Sequence, residues 1–128
     1  MAKIKVLALD VQDGKGLYEI TIDNDNLDAI YDILKCDTFD IATRKIGDRY
    51  YDIFCDDEGL FNENPIISAI EEGLNPMLVG NLMIANHDGA GETTALTAED
   101  IQIIKMHTVK IADHASRRIY TALYPVGY

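Results

Sequence analysis

The sequence predicts an α+β fold: a mixed or antiparallel sheet of about five strands, packed by two main helices and continued by a C-terminal helical extension. Three observations point there. Stretches of polar and apolar alternation, bounded by glycine and aspartate turns, read as strands. Two stretches, from Asn26 and from Ala98, carry apolar residues at helical spacing behind capping side chains. The chain has 128 residues, 48% apolar and 26% charged, which suits one compact domain with its own core. The pattern divides it into an α+β domain over residues 1–108 and a helical extension over 109–128, packed on or projecting from that domain.

The elements follow in order. Lys3-Ile4-Lys5-Val6-Leu7-Ala8-Leu9-Asp10 starts as an alternation and becomes continuously apolar, as a strand entering the middle of a sheet does. Asp13-Gly14-Lys15-Gly16 is a turn, and Leu17 to Ile22 alternates again, completing an N-terminal hairpin. Asp23-Asn24-Asp25-Asn26 offers caps for a helix to about Lys35, with Leu27, Ile30, Tyr31 and Leu34 toward the core. Asp25, Asp28 and Asp32 fall on another face as an acidic stripe. Residues 38–46 and 49–55 read as strands joined through Gly47-Asp48, with glycine first as a type II′ turn prefers. In the second of these, Tyr51, Ile53 and Cys55 share one face, and Tyr50, Asp52 and Phe54 the other.

Asp56-Asp57-Glu58-Gly59 forms a concentrated acidic turn. Asn64-Pro65 then starts a short helix over residues 66–72, which Gly73 ends. After the Asn75-Pro76 turn, residues 77–85 carry no charge and read as one buried strand with a bulge at Gly80. The run is too short for a membrane span, which needs about 20 apolar residues. Asn86 to Gly91 reverses the chain. Thr97 caps the next helix, with Glu99 and Asp100 at the positive end of its dipole. From Ala98 to about Leu123 no proline or glycine intervenes. There Ile101, Ile104, Thr108, Ile111, Ala115, Arg118 and Ala122 recur at heptad-like spacing, a helix whose far end projects or packs on another copy.

Charge is the most informative bulk property. The formal net charge is −11, and it is unevenly placed: residues 1–96 hold 7 Lys or Arg against 19 Asp or Glu, residues 97–128 hold 4 against 3. Such an acidic body repels nucleic acid, whose affinity comes mainly from Lys and Arg. The ordinary role of such acidity is solubility. Cys36 and Cys55 are far apart and outside any CxxC pair, so they read as reduced thiols. The Met-Ala-Lys start lacks the apolar core of a signal peptide, and the expected location is the cytoplasm.

No motif names an enzyme. His107 and His114 are seven apart with Asp113 between them, yet no spacing typical of a zinc site occurs, and neither metal nor cofactor is expected. Gly89-Ala90-Gly91 resembles a fragment of a phosphate loop but lacks its lysine. Ser68 and Ser116 have no nucleophile-elbow context, and neither cysteine has an adjacent base. A small-ligand or nucleotide-handling enzyme would have to use the loop from His87 to Glu92, with Arg44, Lys45 and Arg49 holding an anion. Tyr120, Tyr124 and Tyr128 recur every four residues near the end and suit an oligomeric structural adaptor.

The order of Tyr51-Asp52-Ile53-Phe54-Cys55-Asp56-Asp57-Glu58-Gly59-Leu60, Asn64-Pro65, Leu78-Val79-Gly80-Asn81-Leu82-Met83-Ile84-Ala85 and Leu96-Thr97-Ala98-Glu99-Asp100-Ile101 is similar to a small domain-of-unknown-function family. Phages, plasmids and conjugative elements of bacteria carry that family. The similarity covers roughly Ile4 to Thr108 and brings no catalytic residues with it. It implies an accessory protein of a mobile element in a bacterial cytoplasm. The expected function is then non-enzymatic binding of a host or phage protein, with Asp25, Asp28, Asp32, Asp56, Asp57 and Glu58 presenting carboxylates where a nucleic-acid-binding partner expects phosphates. Direct binding of nucleic acid or membrane is not expected, and self-association would run through the C-terminal helix.

Overall fold

A computed structural model describes residues 3–58, 65–113 and 117–128. Eleven strands and two short helices follow one another: β1 (Lys3–Asp10), β2 (Gly16–Asp23), α1 (Leu27–Leu34), β3 (Phe39–Ile46), β4 (Arg49–Asp56), β5 (Ile67–Ile70), β6 (Pro76–Val79), β7 (Leu82–His87), β8 (Thr93–Thr94), α2 (Ala98–Met106), β9 (Thr108–Asp113), β10 (Arg118–Leu123) and β11 (Val126–Gly127). The strands form two sheets. The larger runs β11-β3-β4-β7-β1-β2, with β8 hydrogen-bonded to β7; the smaller runs β6-β5-β10-β9. Pairing is antiparallel except between β5 and β10.

The large sheet is covered on both faces, which explains its continuous apolar runs. Leu7 and Leu9 of β1, Ile53 of β4, and Leu82 and Ile84 of β7 point toward the small sheet, joining Ala69, Ala122, Leu123 and Ile104 in one core. Val6, Ala8, Phe54, Met83 and Ala85 point the other way and pack under Ile30, Ile33 and Leu34 of α1. The N-terminal hairpin forms as the alternation requires, from Lys3 opposite Asp23 to Asp10 opposite Gly16. The β3–β4 hairpin forms as well, with Gly47 at a φ of 66°.

Helix α1 is capped by Asn26, whose side chain accepts from the Ala29 N–H at 3.2 Å, and ends at Lys35 in the left-handed region. Its buried stripe is Ile30, Ile33 and Leu34; Leu27, expected in the core, is 54% exposed.

The expected α+β layout of about five strands under two main helices is wrong, and three segments account for the difference. The long helix from Ala98 stops at Met106: the His107 N–H bonds back to the Ile104 carbonyl, and Thr108 Oγ1 donates to the Lys105 carbonyl at 3.1 Å. Beyond it, the β-branched Thr108, Val109 and Ile111 of β9 pair with Leu123, Ala122 and Tyr120 of β10. These β-branched residues fit a pleated ladder better than a helix, and β11 then closes the large sheet against β3. Strands β9, β10 and β11 are therefore woven into the two sheets, and no helical extension exists among the described residues. The heptad-like position Ala115 lies outside the described residues.

The short helix expected over 66–72 is instead β5, held between β6 and β10; Asn64, its expected start, lies outside the described residues. The single strand expected over 77–85 is two strands in different sheets. Gly80, at a φ of 79°, is the corner between them rather than a bulge, and its N–H donates to the Ile66 carbonyl at 2.8 Å.

Candidate functional site

The six carboxylates expected to meet a partner lie on α1, in the turn before it and at the end of β4. Asp28 and Asp32 are exposed on α1 and Asp25 is exposed just before its cap; Asp57 and Glu58 are exposed, and Asp56 is half-buried. The two groups meet where α1 runs into β3. Thr38, just past the helix, donates its hydroxyl to Asp57, and Asp56 accepts from the Glu58 N–H at 2.9 Å. The Cys36 thiol senses the junction: burial, then the charges of Asp56, Asp37 and Asp57, push its pKa up to about 11. None of the six carboxylates is in an ion pair among the described residues. Beside Asp56 and Asp57 a hollow of about 280 Å³ opens between β4 and β6, walled by Cys55, Met77, Leu78 and Val79. An acidic rim thus adjoins an apolar socket.

The cations near the β3–β4 turn do not converge on an anion site. Arg49 is committed to Glu99 and Asp100, each at 2.9 Å. The Arg44 guanidinium lies 4.9 Å from the centre of the Tyr128 ring, a cation–π contact. Lys45 alone is left in the open.

Two buried carboxylates organise polar clusters that sequence reasoning missed. Asp100, at the start of α2, completes a capping box with Thr97. It also accepts from Tyr51 Oη, Arg49 Nη1 and Asn86 Nδ2, each at 2.9 Å. Burial opposes its charge, but the hydrogen bonds from Thr97, Asn86 and Arg49 prevail and hold it well below the ordinary carboxylate range. The only sequence signal was the Thr97-x-x-Asp100 spacing.

Asp52, on the opposite face of β4, accepts from Thr43 Oγ1 at 2.9 Å, and its other oxygen lies 3.0 Å from His87 Nδ1. The His87 side chain is 45% exposed against 12% for Asp52, so a buried carboxylate orients an imidazole that reaches solvent. Strand alternation placed Asp52 beside Tyr50 and Phe54, but nothing in the sequence linked it to His87.

The loop after His87 is closed on itself. Asp88 Oδ1 accepts from the N–H groups of Ala90 and Glu92, both at 2.9 Å, so a side-chain carboxylate occupies the place a bound phosphate would take. His107 is the C-cap of α2, with Nδ1 2.6 Å from the Ile103 carbonyl; since that carbonyl only accepts, Nδ1 carries the hydrogen. His114, its expected partner, lies outside the described residues. Among the described residues no group of three or more His, Cys, Asp or Glu is placed to hold a metal ion. No helix among them is long and apolar enough to cross a membrane. Burial, then Asp40, also pushes the Cys55 thiol up to about 11, so both cysteines stay protonated and weakly nucleophilic at neutral pH.

A family model described as a domain of unknown function, DUF3846, matches residues 4–109. The chain belongs to this family. The match spans the β1–β2 hairpin, α1, the acidic end of β4, β7 and the α2 cap, and so includes the segments around Tyr51, Leu78 and Leu96 on which the sequence resemblance rested. It ends at the start of β9, so β10 and β11 lie beyond the family's matched segment. Neither a curated protein nor a solved structure matches the chain.

Proposed function

We propose that this protein is a non-enzymatic accessory protein of a phage or mobile element, acting in the bacterial cytoplasm, and that it binds a host or phage protein through the acidic face of α1 and the β4 end. The acidic face presents carboxylates to the basic groove of a DNA-handling protein such as a defence nuclease. One observation carries this reading: none of the six carboxylates at α1 and the β4 end is compensated by an ion pair among the described residues. A carboxylate layer kept only for solubility would be free to mix with the chain's own cations, as Glu19 does with Lys5 and Lys105. Along α1, Asp28 and Asp32 are separated by about 6 Å of helix axis, about two of the roughly 3.4 Å axial steps between phosphates on one DNA strand. The apolar socket beside Asp56 supplies contact area that charge alone does not.

The enzyme reading draws no support from the β7–β8 loop, whose amides Asp88 already occupies. An adaptor built on a C-terminal helix finds no such helix among the described residues.

The test is capture of partners from a bacterial lysate on the immobilised protein, eluted with a salt gradient, in parallel with a variant carrying Asp28→Lys, Asp32→Lys, Asp56→Lys and Asp57→Lys. Nucleic-acid-binding proteins released by salt and lost in the variant are the expected result, because exposed charges are screened within about 10 Å at 0.1 M salt. Equal capture by both proteins sinks the proposal.

A further inference from the structure

At the opposite end of the sandwich the electrostatics reverse. A hollow of about 330 Å³ lies between the β1–β2 turn, the end of α2 and the β9–β10 pair, and Lys15, Lys105 and Lys110 line it from three separate elements. The exposed Ile119 is its main apolar element; Tyr120 borders it but points into the core. In a chain with 22 Asp and Glu against 11 Lys and Arg, three ammonium groups converging on one hollow is not what scattered surface charge produces. Lys15 and Lys110 are in no ion pair among the described residues; Lys110 Nζ donates only to Thr121 Oγ1, at 2.7 Å. Lys105 shares Glu19 with Lys5, so that carboxylate faces two cations, and Asp13 lies within electrostatic reach of Lys15 while paired with Lys35.

The loop that carries Lys15 is fixed in place. Arg118 of β10 donates to the carbonyls of Val11 and Gln12 at 2.9 and 2.8 Å, clamping the loop onto the small sheet. Gly14, at a φ of 78°, sits where a Cβ would come within 3.1 Å of the Arg118 guanidinium, and Gly16, at 77°, lies over Thr121. The approach of the loop to β10 therefore depends on both glycines.

We propose that this hollow binds a small organic phosphate. The lysines neutralise the phosphoryl oxygens, and the exposed Ile119 side chain lies against the organic part. A nucleic-acid strand is a poorer fit, since it needs a track of cations along a groove, whereas these are gathered in one hollow and the rest of the chain is strongly acidic.

The experiment is titration of the full chain with adenosine monophosphate, inorganic phosphate and a single-stranded oligonucleotide at low salt, by calorimetry and by amide chemical shifts. Adenosine monophosphate is expected to bind saturably and more tightly than phosphate, moving the amides of Gly14, Lys15, Lys110 and Thr121. The exposed pair Lys15→Gln and Lys110→Gln should weaken it by about tenfold or more. Lys3→Gln with Lys45→Gln, on distant strands, should leave it unchanged. The proposal is overturned if no saturation occurs by about 10 mM, if the Lys15/Lys110 variant binds as the parent does, if the shifts map elsewhere, or if the oligonucleotide binds more tightly than the mononucleotide.

Discussion

Tyr51 and Asp52 are neighbours in β4 and, because a strand alternates, they lead to opposite faces of the large sheet and to two different polar clusters. Tyr51 points into the space between the sheets and donates to Asp100. Asp52 points to the α1 side and meets Thr43 and His87. Both carboxylates are buried, at 4% exposure for Asp100 and 8% for Asp52. The difference lies in how they are closed. Asp100 ties α2 to β4 and β7 with donors from Arg49, Tyr51, Asn86 and Thr97. Asp52 has two side-chain partners, and one of them, His87, opens to solvent. A carboxylate surrounded by donors from several elements is a structural joint; one that orients an exposed imidazole is available to something outside the chain.

Breaking the joint should have the largest effect. Asp100→Ala leaves the buried Tyr51 hydroxyl without its acceptor, takes one of two acceptors from Asn86 Nδ2, unpairs Arg49 Nη1 and removes the Asp100 half of the capping box, and it should lower unfolding stability by about 3 kcal/mol in chemical denaturation. Acid should act on the same joint. The folded carboxyl is held below its unfolded value, so its contribution is fully present above the ordinary carboxylate range and is lost as pH falls through that range toward the folded pKa. A stability-versus-pH series should therefore show a steeper acid limb for the parent than for Asp100→Asn; parallel limbs would assign the effect to other groups.

The Asp52 cluster should respond less. Asp52→Ala removes one acceptor from Thr43 and one from the half-exposed His87, for a cost of about 1 kcal/mol, and His87→Ala should cost less still. An Asp52 variant as damaging as the Asp100 variant would mean that the two clusters are both structural. Smallest of all, Asp28→Asn with Asp32→Asn on the solvent face of α1 should shift stability by no more than about 0.5 kcal/mol while weakening capture of a salt-sensitive partner.

Much of the first half of the fold was legible. The β1–β2 and β3–β4 hairpins and the Asn26 cap rest on alternation, turn glycines and side-chain oxygens, which act within a few residues of one another. The second half misled for a shared reason. Residues 66–70 and 108–123 carry apolar spacings that fit either a helix or a strand, and their partners lie far away in sequence: Leu123 pairs beside Ala69, and Val126 beside Ile46. The lysine hollow, with Lys15 in the β1–β2 turn and Lys110 on β9, was invisible for the same reason.

By itself, the sequence determined the local elements: where the chain turns, which helices begin at Asn26 and Thr97, and which carboxylates line α1 without a lysine beside them. Tertiary structure alone decided that β9 and β10 are strands, that Asp100 is closed while Asp52 stays open, and that three lysines share one hollow. A cap or a tight turn closes its hydrogen bonds within four residues, whereas a ladder or a buried polar cluster exists only after distant strands have met.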